Sequence, residues 1–263
     1  ARLRPPHWPA FPAPGVFEAR NVAAAEANAT LLAMECVAVG LDVVCSPVLD
    51  LRLPGAHDIV GDRGFSAEPA EVARLAEGWV RGLQSGGAIP VLKHMPGHGR
   101  AMADSHLELP RVTAGRAALE ADFAPFAALA RSGAWAMTAH LLYTALDAER
   151  PATLSPRIIA GIMRGAIGFD GVLVSDDLDM KALSGSPGEL VAAALAAGCD
   201  LALQCSGRLE DTAAALAAAA PLTERAEARM AAARAAREAA SHGVTPNPIA
   251  LASRRDALLQ DMA

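Results

Sequence analysis

A parallel α/β barrel is the fold class this sequence predicts, and three observations carry the prediction. Five short apolar runs, at 41–45, 88–92, 134–138, 171–175 and 200–204, alternate with alanine-rich helical stretches. Each run is continuously apolar rather than alternating, as parallel strands buried on both faces are. Polar residues then gather at or just beyond the C-terminal ends of these runs: Asp50, Lys93, His94, His140 and Asp176. In a (β/α)₈ barrel such ends converge on one mouth, where functional sites are built. An open doubly wound sheet is the competing arrangement, but no glycine-rich phosphate turn follows any strand. Five units are present where a closed barrel has eight. The expected fold is therefore a (β/α)₈, TIM-type barrel missing its first three strand–helix units, and residues 1–263 are expected to form that single incomplete domain.

The elements follow in order. Residues 1–16 are rich in proline and read as an extended connector. A helix is expected from Phe17 to about Val39, then a strand at 41–45 that enters a loop through Ser46–Asp50 and on to Phe65. Ser66 is the expected cap of a helix over 68–83, and Thr113 of one running to about Arg131. Ser155 with Pro156 at the first turn should open a helix ending near Gly165. Another helix is expected around 189–197, and 208–241 reads as charge-laced helices broken at Pro221.

Composition bounds the function. With 263 residues and 52% hydrophobic content the chain can bury a sizeable core. A net charge of −6, without a Lys/Arg cluster, argues against a nucleic-acid partner. No apolar run approaches the roughly 20 residues of a membrane helix. Cys36, Cys45, Cys199 and Cys205 lack metal-ligand spacing and read as reduced core thiols, which favours a cytoplasmic protein. No cofactor or metal is expected. The chain opens at Ala1 without an initiator methionine and is expected to be a fragment.

The stretch Lys93–Pro110, KHMPGHGRAMADSHLELP, is the expected active-site loop. It leaves a buried strand, turns polar at once, and is kept from helix by Pro96, Gly97 and Gly99. Three of the seven histidines, His94, His98 and His106, fall in it. Asp104 and His106 are two residues apart, so in extended backbone they share a side, and the carboxylate can orient the imidazole and favour its protonated form. The bland alternative is an incidental pair on a surface loop. A histidine metal site is disfavoured because Lys93 would oppose the cation. Asp176 ends an otherwise apolar strand, where a carboxylate must be hydrogen-bonded or functional. Capping of the next turn is the alternative for Asp176 and the preferred reading of Asp177.

KHMPGHG and DSHLELP, followed by SDDLDM at 175–180, resemble glycoside hydrolase family 3. The bacterial β-N-acetylglucosaminidase branch, which carries the Asp-x-His pair in this loop, is the nearest match. SPVLDL at 46–51, GDRGF at 61–65, AH at 139–140 and PATLSP at 151–156 match in the same order. The resemblance implies a retaining exo-glycosidase that removes terminal GlcNAc from peptidoglycan fragments in the cytoplasm, acting as a monomer. It makes Asp176 the nucleophile and His106, held by Asp104, the acid/base. An imidazole thus takes a role that most glycosidases give to a second carboxyl. Its ordinary pKa near ~6.5 lets it give and take a proton at neutral pH. Arg63, Lys93 and His94 would bind the sugar, with Arg2 as the last arginine of an earlier sugar-gripping segment whose remainder is absent. His98 and the glycines would shape the loop. A phosphorylase is a close rival, since a histidine repels incoming phosphate less than a carboxylate does. A non-catalytic sugar-binding remnant is the rival of a different class.

Overall fold

The computed structural model describes residues 4–55, 60–103, 105, 107–241 and 247–260. Five parallel strands form its main sheet: β1 (Val43–Val44), β2 (Ile89–Met95), β4 (Trp135–Thr138), β6 (Leu173–Asp177) and β7 (Leu201–Leu203), side by side in that order. A two-residue parallel ladder, β3 (Arg111–Val112) with β5 (Leu142–Tyr143), lies apart from it. Strand order rises along the sheet without reversing. A doubly wound sheet reverses at its switch point, whereas a barrel winds in one direction. The sheet is the five-stranded, curled part of a barrel. Among the described residues β1 and β7 are its two open edges.

Helices cover the outer face. They are α1 (Val22–Ala38), α2 (Pro69–Ser85), α3 (Arg116–Ala128), α4 (Pro156–Ile158, running on as π-helix through Ile159–Ala166), α5 (Pro187–Ala197), α6 (Leu209–Ala218), α7 (Glu224–Ser241) and α8 (Pro248–Gln260). Leu92, Ala136, Leu173 and Ala202 point outward into the large core these helices share. Their neighbours Val43, Val91, Trp135, Met137, Val174, Leu201 and Leu203 form a separate cluster on the inner face. That is the alternation of a pleated strand. Helices α1 and α2 meet closely because α2 offers glycine. A Cβ at Gly82 would lie 2.3 Å from the Glu26 carbonyl oxygen.

Several local expectations shift. The first helix starts at Val22, because the Asn21 side chain caps it by accepting from Ala23 N, and a 3₁₀ turn over Pro14–Phe17 precedes it. Ser66 accepts from Glu68 N but stands outside α2, whose cap position is Glu68. Gly115, not Thr113, is the cap position of α3. Ser155 does cap its helix, accepting from Ile158 N, and Ser186 forms a reciprocal capping box with Glu189.

Candidate active site

The site grows from the C-terminal end of β2. Strand alternation that puts Val91 on the inner face puts Lys93 there too, and the same rule in β6 places Asp176 above Val174. Lys93 and Asp176 therefore face one mouth. The Lys93 main chain is pinned on both sides, its N–H donating to the Pro47 carbonyl at 3.2 Å and its carbonyl accepting from Leu49 N at 2.7 Å. The Lys93–His94 peptide is cis.

Beneath the mouth lies Asp50, wholly buried. Its Oδ1 accepts from His94 N at 3.0 Å and His98 N at 2.6 Å, and its Oδ2 sits 2.6 Å from His94 Nδ1. Burial alone would raise this carboxyl, but the two histidines hold it below its ordinary value. A carboxylate only accepts, so the proton on His94 is at Nδ1 and Nε2 is turned outward. That Nε2 lies 3.9 Å from Asp176 Oδ2.

Asp176 is largely buried, with Oδ1 accepting from Asp177 N at 2.8 Å. Burial pushes its carboxyl up, and His94, His140, the Asp177 N–H and Lys93 together outweigh that and keep it low. It is thus an ionised carboxylate in a partly dry setting, fit to attack or to stabilise a cationic centre, and unfit to donate a proton. Asp177 is structural, as expected: its Oδ1 accepts from Asp179 N at 3.1 Å and Cys205 N at 2.9 Å, tying β6 to the segment after β7.

His140 follows β4 and is fully buried. Burial lowers its pKa, so it is neutral at pH 7. Its Nε2 lies 3.0 Å from the Asp177 carbonyl and must carry the proton, while Nδ1 lies 2.7 Å from Thr153 Oγ1, whose single hydroxyl proton also has the Ala139 carbonyl within 3.1 Å. Thr138 Oγ1 lies 2.8 Å from Thr153 Oγ1. This chain fixes the backbone beside Asp176 from the neighbouring strand.

His98 packs within the loop that leaves β2. It is buried, edge-on to His94 with ring centroids 5.4 Å apart, and its Nε2 is 3.2 Å from Ser105 Oγ. Ser105 is itself buried. Arg63 sits in a 3₁₀ turn one residue before Gly64, which bridges Val48 in parallel just as Lys93 does. Its backbone is therefore next to the mouth and its side chain is exposed. The expected residues Arg2, Asp104 and His106 lie outside the described residues. Two of the four thiols depart from expectation. Cys45 and Cys205 are exposed, because they follow the two edge strands, where no described strand covers them. Among the described residues no group of three His, Cys, Asp or Glu is placed to hold a metal, and no helix is long and apolar enough to cross a membrane.

Residues 7–239 match the model of the Glycosyl hydrolase family 3 N terminal domain. A protein named Beta-hexosaminidase from Alkalilimnicola ehrlichii is 44% identical over 207 residues, which cover 74% of this chain and 59% of that one. Another of the same name from Tolumonas auensis is 40% identical, covering 75% and 60%. The chain thus spans about three fifths of these relatives' length. Among solved structures, a glycoside hydrolase family 3 β-N-acetylglucosaminidase from a Paenibacillus species superposes with TM-score 0.81 at 33% identity, over 94% of this chain and 51% of that one. NagZ from Neisseria gonorrhoeae in complex with N-trifluoroacetyl-D-glucosamine gives 0.76 at 33%, over 91% and 70%.

Proposed function

This chain belongs to glycosyl hydrolase family 3, and on that premise we propose that it is the greater part of a retaining exo-β-N-acetylglucosaminidase that removes terminal GlcNAc from peptidoglycan fragments. The observation that supports this most is Asp176: an ionised, mostly buried carboxylate at the mouth, with His94 Nε2 at 3.9 Å and Lys93 on the same face. Asp176 attacks the anomeric carbon and forms a glycosyl-enzyme. His106, oriented by Asp104, protonates the departing oxygen and then takes a proton from water. Lys93, His94, Arg63 and Arg2 bind the sugar hydroxyls. The protein acts in the cytoplasm as a monomer, in recycling of cell-wall fragments, and residues 1–263 are one incomplete barrel domain.

The test uses the full-length protein, an aryl β-N-acetylglucosaminide, a GlcNAc-terminated muropeptide and a fluorinated glycoside analogue. The analogue should label Asp176 covalently, and Asp176→Ala should bind substrate while losing turnover by several orders of magnitude. A label on Asp177 would overturn the nucleophile. Formation of a sugar 1-phosphate in preference to free sugar, when phosphate is added, would make the protein a phosphorylase.

A further inference from the structure

Helix α3 packs on the outside of the barrel, yet it carries a carboxylate that is almost wholly buried, Asp122 at 1% side-chain exposure. Its Oδ2 accepts from Arg100 Nε at 2.5 Å, while Oδ1 is buried without a hydrogen-bond partner among the described residues. Arg100 also donates from NH2 to the Ala118 carbonyl at 3.0 Å, so one guanidinium spans a turn of α3. Burying such a pair gains little stability over an apolar pair of the same size. What the pair holds is the foot of the loop that leaves β2. Gly97 lies directly on Asp122, since a Cβ there would be 2.7 Å from the Asp122 Cβ. From the other side the buried Tyr143 hydroxyl of β5 donates to the Gly97 carbonyl at 2.8 Å. Two residues before Arg100, His98 N is tied to Asp50, and five after it Ser105 is tied back to the His98 ring. His98 is thus tied to both Asp50 and Ser105, and Arg100 fastens the chain just after it to α3.

We infer that Asp122, acting through Arg100, is a positioning residue that sets where the loop carrying Asp104 and His106 stands relative to Asp176. This rests on the glycosidase reading. Asp122 never touches substrate. Its effect is confined to the two proton transfers made from that loop, to the leaving group and from water, because Asp176, Lys93 and His94 are held from β6, β2 and Asp50. Misplacing a reacting group by about 1 Å can cost about a hundredfold in rate.

The experiment takes the full-length protein and compares Asp122→Asn, Arg100→Lys and the double variant Arg100→Met with Asp122→Leu. The double variant replaces a buried ion pair by apolar groups of like size and should keep its Tm. Activity is read against aryl glycosides of graded leaving-group ability, and hydrogen exchange is read in the 97–110 peptide. The double variant and Asp122→Asn should lose up to about a hundredfold in kcat/KM on the poorest leaving groups and less than about threefold on the best, where the loss falls instead on kcat through slower hydrolysis of the glycosyl-enzyme. Arg100→Lys should lose less than the double variant. Exchange should quicken in 97–110 and stay unchanged in the β2 and β6 peptides. Equal losses in kcat/KM on every leaving group, or losses that follow Tm alone, would overturn the inference, as would unchanged exchange in 97–110. If the wild type cleaves no β-hexosaminide, the glycosidase reading fails by itself and the exchange data alone decide whether Asp122 positions the loop.

Discussion

Asp50 holds His94 at two points, accepting the His94 backbone N–H on one oxygen at 3.0 Å and lying 2.6 Å from the ring Nδ1 with the other. The His94 ring is therefore oriented from the segment that follows β1.

Asp50→Asn keeps the shape but removes the charge and one acceptor. The amide can still accept the two backbone N–H groups, but its NH₂ then opposes the His94 Nδ1 proton. Charge-assisted hydrogen bonds in buried sites are worth about 1.5–3 kcal/mol. Chemical denaturation should show a loss of that order. Proton NMR should show the Nδ1–H signal of His94 shifted or gone. An unchanged Nδ1–H signal would mean that the carboxylate does not set the tautomer.

Acid should destabilise the fold through its buried imidazoles before it reaches the carboxylates. Burial lowers His98 from 6.5 to about 4, with the His94 charge adding to the effect, and His140 moves the same way. The folded state thus binds fewer protons than the unfolded one. Stability is full above the ordinary histidine pKa and falls as pH drops from about 6.5 towards 4. For His98 alone the loss is on the order of 3 kcal/mol. Thermal melts across that window should show it, and His98→Gln should flatten the slope. A slope that survives in His98→Gln would assign it to His140 or to other groups.

Asp200 should be among the least replaceable residues far from the mouth. Its oxygens accept from Arg164 NH2 at 2.8 Å, Arg229 NH1 at 2.8 Å and Leu173 N at 2.9 Å, joining α4, α7 and β6 at the start of β7. Asp200→Ala leaves two partly buried guanidinium groups short of their shared carboxylate. A cost of about 3–5 kcal/mol is expected, seen as a drop in denaturation midpoint. A change below about 1 kcal/mol would show that Asp170 and water compensate.

His106→Ala tests the acid/base assignment. Cleavage of natural glycosides, whose alkoxide leaves badly, should collapse, while the first step on activated aryl glycosides survives. Hydrolysis of the glycosyl-enzyme should be slow, so the intermediate accumulates. Azide, which needs no base, should then restore turnover and give the β-glycosyl azide. Equal loss on activated and natural substrates, with no intermediate, would make His106 a binding residue.

What the sequence determined by itself is what local pattern can encode. Five continuous apolar runs specify buried parallel strands, because a strand covered on both faces needs no polar side. Proline and glycine stop the helix at the 96–99 loop, and the motifs around Asp176 and in 93–110 carry the family. Helix starts were less legible: Asn21 and Gly115 take cap positions that an alanine-rich pattern does not mark. The β3–β5 ladder was invisible, since two-residue strands leave no period to detect.

The tertiary structure decided which polar residues meet. Asp50 stands 44 residues from His94 in sequence, His140 37 from Asp177, and Arg100 22 from Asp122. Nothing in local spacing pairs such residues. Parallel strands joined through helices bring their C-terminal ends together only once the sheet is wound, and burial then favours each pairing, because an unpartnered polar or charged group in that core is costly. Cys45 and Cys205, whose apolar surroundings in sequence read as core, are exposed just after β1 and β7, the two edge strands among the described residues.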